Sequence, residues 1–291
     1  MIKKLFRRVR SHHQVNRSTG GNAIIFIFLA IMAIFTALPM IFTIGNAFKP
    51  LDELWLFPPK LFPQNPTLSN FTDLFTLLQS SWVPMSRYFF NTVFITVMGT
   101  AGEVIFASMC AYALAKHNFP GSKVIFAIIV YSLLFTTAVT GIPNYLTMVS
   151  LNWIDTYYSI IVPAMGTSLG LYLMKQFIEQ LPDVLIEAAK IDGTSELGIF
   201  WKIVMPNVKP AWLTVIIFSM QGLWSIGSST YIYSEDLKTL AYSMGNIVSG
   251  GIARAGVGSA VTVIMISVPI ITFVVTQSNV METMSTSGMK D

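Results

Sequence analysis

Six long stretches almost without Asp, Glu, Lys or Arg divide this 291-residue chain, and they constrain its fold more than any other feature. A helix rises about 1.5 Å per residue, so about 20 apolar residues cross the roughly 30 Å hydrocarbon core of a bilayer. Lipid offers no partner for a bare backbone, and the stretches lack the alternation of barrel strands, so helices are expected. The sequence predicts an all-α, polytopic membrane protein with six spans, near residues 23–45, 88–115, 124–148, 157–178, 210–232 and 257–278.

The composition excludes most soluble classes of protein. Charged residues make up 11% of the chain and hydrophobic residues 53%, whereas an ordinary soluble domain has about 25% charged residues. A soluble enzyme or a nucleic-acid binder needs more charge on its surface, and six consecutive buried helices of a soluble core would need polar faces. The basic N-terminal run and the first apolar stretch could form a signal peptide. That stretch is too long and lacks a small-residue cleavage pattern, so we expect a retained helix.

The distribution of Lys and Arg predicts the orientation. Of the 18 basic residues, 13 fall on one side of the predicted spans, and the richer side is cytoplasmic by the positive-inside rule. Both termini are therefore expected in the cytoplasm, with the chain in the cytoplasmic (inner) membrane. The expected parts are a basic segment at 1–22, a six-helix transmembrane domain at 23–278 and a cytoplasmic tail at 279–291. The net charge of +4 then reflects contact with the lipid bilayer, and no nucleic-acid partner is expected.

Outside the membrane, the longest predicted connection covers residues 46–87. It contains six prolines, so it is expected to form a turn-rich cap at the membrane interface.

The long cytoplasmic connection at 179–209 is the most informative segment. Pro182 can occupy the first position of a helix, and Gly193 can adopt the left-handed conformation that ends it. Thr194 or Ser195 can cap a second helix, which Pro206 ends or bends away. Apolar residues recur along one face of each helix: Val184, Ala188 and Ile191 in the first, and Leu197, Phe200, Trp201 and Val204 in the second. The pattern predicts a helix-turn-helix whose stripes pack on the bundle or on a partner subunit.

Three elements of this connection together resemble the EAA loop of permease subunits in binding-protein-dependent ABC importers. They are Glu187-Ala188-Ala189, then Gly193, then Ile203-Val204-Met205-Pro206. The family pattern is a Glu-Ala-Ala triplet, a glycine four positions later and an Ile-x-Leu-Pro ending. Asp192 before the glycine is similar to the sugar branch, and Met205 in place of leucine is a swap of similar volume. The six-span organisation and the Gly288-Met289-Lys290 ending are similar to the maltose-type permeases of carbohydrate uptake.

The resemblance implies a permease subunit of an ATP-driven importer that moves a sugar, most simply an oligosaccharide. The implied partners are a second homologous permease, two ATP-binding subunits and an extracytoplasmic sugar-binding protein. ATP and Mg would sit on the ATPase subunits, because this chain has no Gly-x-x-x-x-Gly-Lys-Ser/Thr phosphate loop, and neither a cofactor nor enzyme activity of its own is expected. The resemblance assigns ATPase coupling to Glu187, Ala188, Ala189, Asp192, Gly193 and Pro206.

Glu103 is the one ionisable residue well inside a predicted span, where a lone charge costs about 2.5 to 3.5 kcal/mol. Small residues surround it at four-residue spacing, so we expect it to face protein. It could make a structural hydrogen bond, or it could line the translocation path and accept from sugar hydroxyls. The other candidates for the path could hydrogen-bond or stack on sugar rings: Asn144, Tyr145, Gln221, Trp224 and Tyr231.

Two other classes of function compete with the importer hypothesis. A secondary transporter or channel would use Glu103 for ions or protons. A membrane-embedded enzyme would need a cluster of catalytic carboxylates or histidines at one depth, and the three histidines and one cysteine suggest no zinc site. The identity of the sugar is not encoded in any pattern of this chain.

Overall fold

The computed structural model describes residues 19–79, 83–227, 230–251 and 254–287, and the regular structure in these ranges is helical throughout. Most of the predicted segment 1–22 and the Gly288-Met289-Lys290 ending lie outside the described residues. The α-helices are α1 Thr19–Ala47, α2 Leu51–Leu54, α3 Ser69–Gln79, α4 Met85–Lys116, α5 Ser122–Ser132, α6 Thr137–Ser150, α7 Tyr158–Ala164, α8 Ser168–Glu179, α9 Asp183–Ile191, α10 Glu196–Ile199, α11 Met205–Asn207, α12 Lys209–Trp224, α13 Leu240–Val248 and α14 Ala255–Ser287. A π-helical stretch, Phe200–Val204, joins α10 to α11, and a 3₁₀ turn, Glu235–Leu237, precedes α13.

Three of the helices described are long and apolar enough to cross a membrane by themselves. They are Gly20–Ala47 in α1, the whole of α4, and Ala255–Gln277 in α14, and they fall on the first, second and sixth predicted spans. Two bent pairs raise the number to five if each pair is one span: α5 with α6, and Glu196–Asn207 with α12. The count of six therefore stays a prediction.

The middle predicted spans are not single continuous helices. The third bends by 111° between α5 and α6, where Thr136 adopts an extended conformation. The fourth is divided between α7 and α8, and Thr167 caps α8 by accepting from the Gly170 N–H at 3.2 Å. The fifth ends at Trp224, so Tyr231 lies beyond its helix. Apolar composition records exclusion from water and does not record whether the helix is continuous.

Helix α4 lies at the centre of the bundle. It packs along α8 and α12 and also contacts α7 and α13, while α14 packs against α12 and α1. Small residues line its contact face: a Cβ on Gly99 would lie 2.5 Å from Leu223 Cδ1, and Ala107 and Ala111 are buried. The absence of bulk on this face lets the helices approach closely.

The connection from α1 to α4 folds into a compact cap that contains α2 and α3. Asn70 on α3 donates to the carbonyl oxygens of Ala47 at 3.0 Å and Lys49 at 2.7 Å. These bonds satisfy carbonyls at the C-terminal end of α1 that have no partner within the helix. The Lys49 ammonium is itself buried and donates to Asn46 Oδ1 at 2.7 Å and to the Lys60 carbonyl.

The close approach of this cap to α1 generates a prediction for Gly45. A Cβ at position 45 would overlap the backbone carbonyl oxygen of Leu61. We expect Gly45→Ala to lower the free energy of unfolding by about 1 to 3 kcal/mol, despite alanine's better helix propensity. Gly245→Ala is the matched control, because its Cβ meets no atom within 4 Å. Thermal unfolding in detergent measures both variants, and equal stability would show that the cap does not press on α1.

Candidate functional site

Helices α9 and α10 stand where the sequence predicted a helix-turn-helix, and we call residues 183–204 the helix pair. Gly193 lies in the turn with φ of +76°, in the left-handed region that favours glycine. Its N–H donates to the Lys190 carbonyl at 3.0 Å. Ser195 caps α10, since its hydroxyl accepts from the Gly198 N–H at 3.3 Å. The turn is thus closed by backbone geometry on one side and by a cap on the other.

The second helix ends close to Pro206, where the sequence predicted that it would end or bend. The chain passes through the π-helical stretch into α11, which contains Pro206. The change of direction, 80° between Glu196–Asn207 and α12, comes at Val208. The change of direction therefore comes two residues after Pro206, close to the predicted position.

The apolar stripe of the first helix faces away from the bundle, and that of the second helix is divided between the bundle and the outside. Val184 is 70% exposed and Ile191 is 85% exposed, whereas Ile186 and Ala189 are buried against the core. In the second helix, Phe200 and Val204 are buried, but Leu197 and Trp201 remain exposed. We define the outward apolar residues as the apolar face: Val184, Leu185, Ala188, Ile191 and Leu197.

The residues assigned to coupling by resemblance are divided by this arrangement. Glu187, Ala188, Asp192, Gly193 and Pro206 are exposed. Ala189 is buried, because neighbouring positions on a helix point in different directions. It packs the helix onto the bundle and cannot itself touch a partner on the outer side.

Polar contacts attach the helix pair to the end of α4. Lys116 donates to Asp183 Oδ1 at 2.7 Å and to the Leu181 carbonyl at 2.5 Å. Glu196 accepts from the Tyr112 hydroxyl at 3.0 Å, and its other oxygen lies 2.7 Å from the Lys190 ammonium. The hydrogen bond from Lys190 lowers the pKa of the Glu196 carboxyl.

Glu103 lies at the contact between α4 and α8, where it is only 5% exposed. It accepts a hydrogen bond from the Thr167 hydroxyl, the same group that caps α8. A Cβ on Gly170 would lie 2.6 Å from Glu103 Oε1, so the glycine leaves room for the carboxylate. A cavity of about 320 Å³ adjoins it, lined also by Ser219 and Gly222 of α12. The Ser219 hydroxyl is buried and has no hydrogen-bond partner among the residues described.

The other path candidates lie at separate places. Trp224 is buried, and its indole N–H donates to the Met265 carbonyl at 3.0 Å, so it holds α12 against α14 and offers no stacking face. Gln221 is exposed beside a groove between α12 and α14. Asn144 is exposed on α6, and its neighbour Tyr145 stacks on Tyr231 with ring centroids 6.3 Å apart.

Sequence reasoning missed two residues beside this tyrosine stack. The Tyr233 hydroxyl lies 3.0 Å from that of Tyr145, and the spacing of Tyr231 and Tyr233 in one loop was an available signal. Asp155, with φ of +59°, accepts from the Ser234 hydroxyl and from the N–H groups of Ser234 at 2.8 Å and Tyr233 at 2.9 Å. The hydrogen bonds from Ser234 lower the pKa of the Asp155 carboxyl. Their stabilising effect is therefore present at neutral pH and is lost as pH falls through that lowered pKa.

In the part of the chain that the structure describes, no group of three or more His, Cys, Asp or Glu side chains is placed to hold a metal ion.

Residues 103–282 match the family described as "Binding-protein-dependent transport system inner membrane component". The chain belongs to this family.

Several curated relatives are similar over most of their length. Protein LplC of Bacillus subtilis is 35% identical over 72% of this chain and 69% of its own. The arabinooligosaccharides transport system permease protein AraQ of Halalkalibacterium halodurans is 29% identical over 77% and 79%. The sn-glycerol-3-phosphate transport system permease protein UgpE of Yersinia enterocolitica is 30% identical over 77% and 80%.

A solved structure extends the likeness to the fold. One chain of a bacterial ABC transporter involved in the import of the acidic polysaccharide alginate aligns with a TM-score of 0.75. The alignment covers 90% of this chain and 98% of that chain at 23% identity. This family member therefore shares its fold with a component of an ABC importer.

The bond between Thr167 and Glu103 predicts the effect of removing one hydroxyl. Thr167→Val removes both the donor to the buried carboxylate and the cap of α8, so we expect a loss of about 2 to 4 kcal/mol in unfolding free energy. In Thr214→Val the lost hydroxyl bonds only the Pro210 carbonyl of its own helix, and we expect a change within about 0.5 kcal/mol. Unfolding in detergent compares the two variants. Similar losses of unfolding free energy in both would show that the Thr167 hydroxyl does not stabilise the contact between α4 and α8.

Proposed function

We propose that this chain is a translocation subunit of an ATP-driven importer that carries an oligosaccharide across the cytoplasmic membrane. Its membership in the binding-protein-dependent family supports import with a separate extracytoplasmic receptor. The proposed complex contains a second homologous permease, two ATP-binding subunits and a sugar-binding protein. Both termini of this chain would lie in the cytoplasm, in keeping with the excess of Lys and Arg on that side.

One observation carries the proposal that the helix pair binds an ATPase subunit. The apolar face of the helix pair is exposed, and the charged residues Glu187, Lys190 and Asp192 lie between its apolar side chains. Charged residues at this density keep the helix pair out of the hydrocarbon, so lipid does not cover the apolar face. A protein surface with an apolar groove does fit it, in the manner of a short helix bound in a groove. Exposed Ala188 and Gly193 allow such a surface to come close.

The choice of an oligosaccharide as substrate rests on the relatives and on the tyrosine stack. Arabinooligosaccharides are named for the Halalkalibacterium halodurans relative, galactooligosaccharides for the permease protein GanQ of Bacillus subtilis, which is 26% identical over 91% of this chain, and alginate for the similar structure. Tyr145, Tyr231 and Tyr233 combine ring faces with hydroxyls, the two features that a sugar needs for stacking and hydrogen bonding. We propose that the path begins at these tyrosines and passes Asn144 and Gln221. In this proposal Trp224 does not touch the sugar and holds α12 against α14.

Reconstitution tests the function directly. Proteoliposomes containing the two permeases and the ATPase subunits, supplied with the binding protein, should accumulate a radiolabelled oligosaccharide only when ATP is present. The trial oligosaccharides are galactooligosaccharides and arabinooligosaccharides. Uptake of sn-glycerol-3-phosphate in place of both would contradict an oligosaccharide substrate. Uptake that follows a proton or sodium gradient without any ATPase would favour the ion-coupled transporter instead.

Two substitutions on the helix pair should uncouple transport from ATP. We expect Glu187→Lys and Gly193→Asp to abolish uptake while the permease remains in the membrane, because each places a new charge on the surface proposed to meet the ATPase. Gly121→Asp is the matched control, since Gly121 also has a positive φ, of +91°, and open space around it. Transport assays on vesicles with equal permease content provide the measurement, and normal uptake by both helix-pair variants would remove the coupling role.

The geometry of Glu103 favours the structural alternative over direct contact with the substrate. Glu103→Gln keeps an oxygen that can accept from Thr167, so we expect assembly and uptake to persist. Glu103→Ala leaves the Thr167 hydroxyl without this acceptor, so we expect lower stability. Stability and uptake are measured side by side. A Glu103→Gln complex that assembles normally but does not transport would place the carboxylate in the path.

A further inference from the structure

Helix α4 is attached at both of its ends to segments that lie on opposite sides of the membrane by the predicted topology. At the cytoplasmic end, the attachment consists of Tyr112 and Lys116, with the acceptors Glu196 and Asp183 on the helix pair. We call these four residues the inner clasp. Each helix of the pair contributes one acceptor, so both are bonded to the same turn of α4.

The inner clasp combines buried donors with exposed acceptors. The side chain of Lys116 is 6% exposed and Tyr112 is buried, but Asp183 and Glu196 are largely exposed. Ion pairs with such exposed partners contribute little to folding stability. Their directed bonds nevertheless fix the orientation of the helix pair relative to α4. The Tyr112 ring adds packing, with its centroid 5.9 Å from that of Phe200.

At the opposite end of α4, Asn91 and Tyr88 hold the loop that precedes α13. The Asn91 amide donates to the carbonyls of Asp236 and Lys238, both at 2.8 Å. The Tyr88 hydroxyl donates to Glu235 Oε1 at 3.0 Å. Asn91 is fully buried and also accepts from the Tyr157 hydroxyl at 2.7 Å. The loop at 235–238 is therefore held to α4 by side-chain hydrogen bonds, as the helix pair is.

Helix α4 is uninterrupted between these attachments, and the whole helix has 32 residues, about 48 Å at 1.5 Å per residue. A helix of that kind moves as a rod, whereas the bent pair α5–α6 and the divided α7–α8 can absorb displacement at their breaks. We propose that α4 is the lever that carries movement of the helix pair to the outer loop at 235–238, with Tyr112 and Lys116 as the positioning residues that engage it. The inference rests on the proposed binding of an ATPase to the helix pair.

The experiment reads the outer end of α4 in the assembled complex with its ATPase subunits. Ser86 is exposed in the first turn of α4, so Ser86→Cys in a Cys110→Ser background, with cysteine-free partners, provides a single reactive thiol in the complex. The rate at which a water-soluble maleimide labels that thiol is measured with and without Mg-ATP. We expect Mg-ATP to change the rate when the inner clasp is intact.

The double substitution Tyr112→Phe with Lys116→Met cuts both attachments but keeps the ring and the aliphatic stem. We expect it to bind the ATPase and hydrolyse ATP while losing the nucleotide-dependent change at position 86. Lys116→Arg keeps the cation and should retain the change. Lys175→Met should also retain it, because Lys175 pairs with Glu179 inside α8 and does not touch the inner clasp.

Other outcomes overturn the inference, and they differ from failure of the proposed function. A double variant that keeps the full change shows that movement does not pass through the inner clasp. A double variant that no longer binds the ATPase shows that these residues serve docking and not transmission. An intact complex that hydrolyses ATP with no change at position 86 shows that α4 is not the lever. If no ATPase binds to the unsubstituted permease, the proposed function itself fails and the lever fails with it.

Discussion

The close packing of α4 against α8 and α12 is the contact on which the rest of the described fold depends. It is possible because Gly99, Ala107 and Ala111 leave one face of α4 almost without side chains. Without water, helices gain little from hydrophobic association in lipid and must rely on contact area and hydrogen bonds. The same closeness buries Glu103, and the Thr167 hydroxyl and the space beside Gly170 make that burial tolerable.

The contact between α4 and α12 is less completely bonded than the one with α8. The buried hydroxyls of Thr96, Thr100 and Ser219 have no hydrogen-bond partner among the residues described. These hydroxyls lose no hydrogen bond when the neighbouring helices shift, whereas a contact with all its hydrogen bonds formed would lose some of them and so oppose the shift. The bundle thus combines a firm contact on the Glu103 side with a more permissive one towards α12. That combination suits the lever role proposed for α4.

How far the sequence predicts this structure depends on the kind of pattern involved. Apolarity located the three long helices α1, α4 and α14. Capping chemistry located the turn at Gly193 and the cap at Ser195, because both signals depend on residues close together in the chain. The bend after Leu133 was not predictable, since bent and straight helices are equally apolar. The 3.6-residue period identified the stripe of Val184, Ala188 and Ile191 but not its direction, because an apolar stripe suits a core and an interface equally well.

The contacts of the site residues were also not predictable wherever they depend on residues far apart in the sequence. The sequence predicted that Glu103 faces protein, but Thr167 lies 64 residues away and no periodicity connects them. Trp224 looked like a stacking residue and instead donates across to α14, and Tyr231 lies in a loop where a span was expected. No sequence pattern indicates that Tyr112 and Lys116 contact the helix pair, because a tyrosine and a lysine at the end of a span are ordinary interface residues. Their significance comes from what lies opposite them in the fold.

We propose that an ATP-hydrolysing subunit covers the exposed apolar face of the helix pair. Hydrogen–deuterium exchange of residues 183–204, measured on the membrane-embedded permease with and without that subunit, is the decisive experiment. We expect strong protection of these amides when the subunit is present, while the outer cap around Asn70 remains unchanged. Equal exchange in both samples throughout ATP turnover would show that the helix pair stays in solvent and that no such subunit covers it.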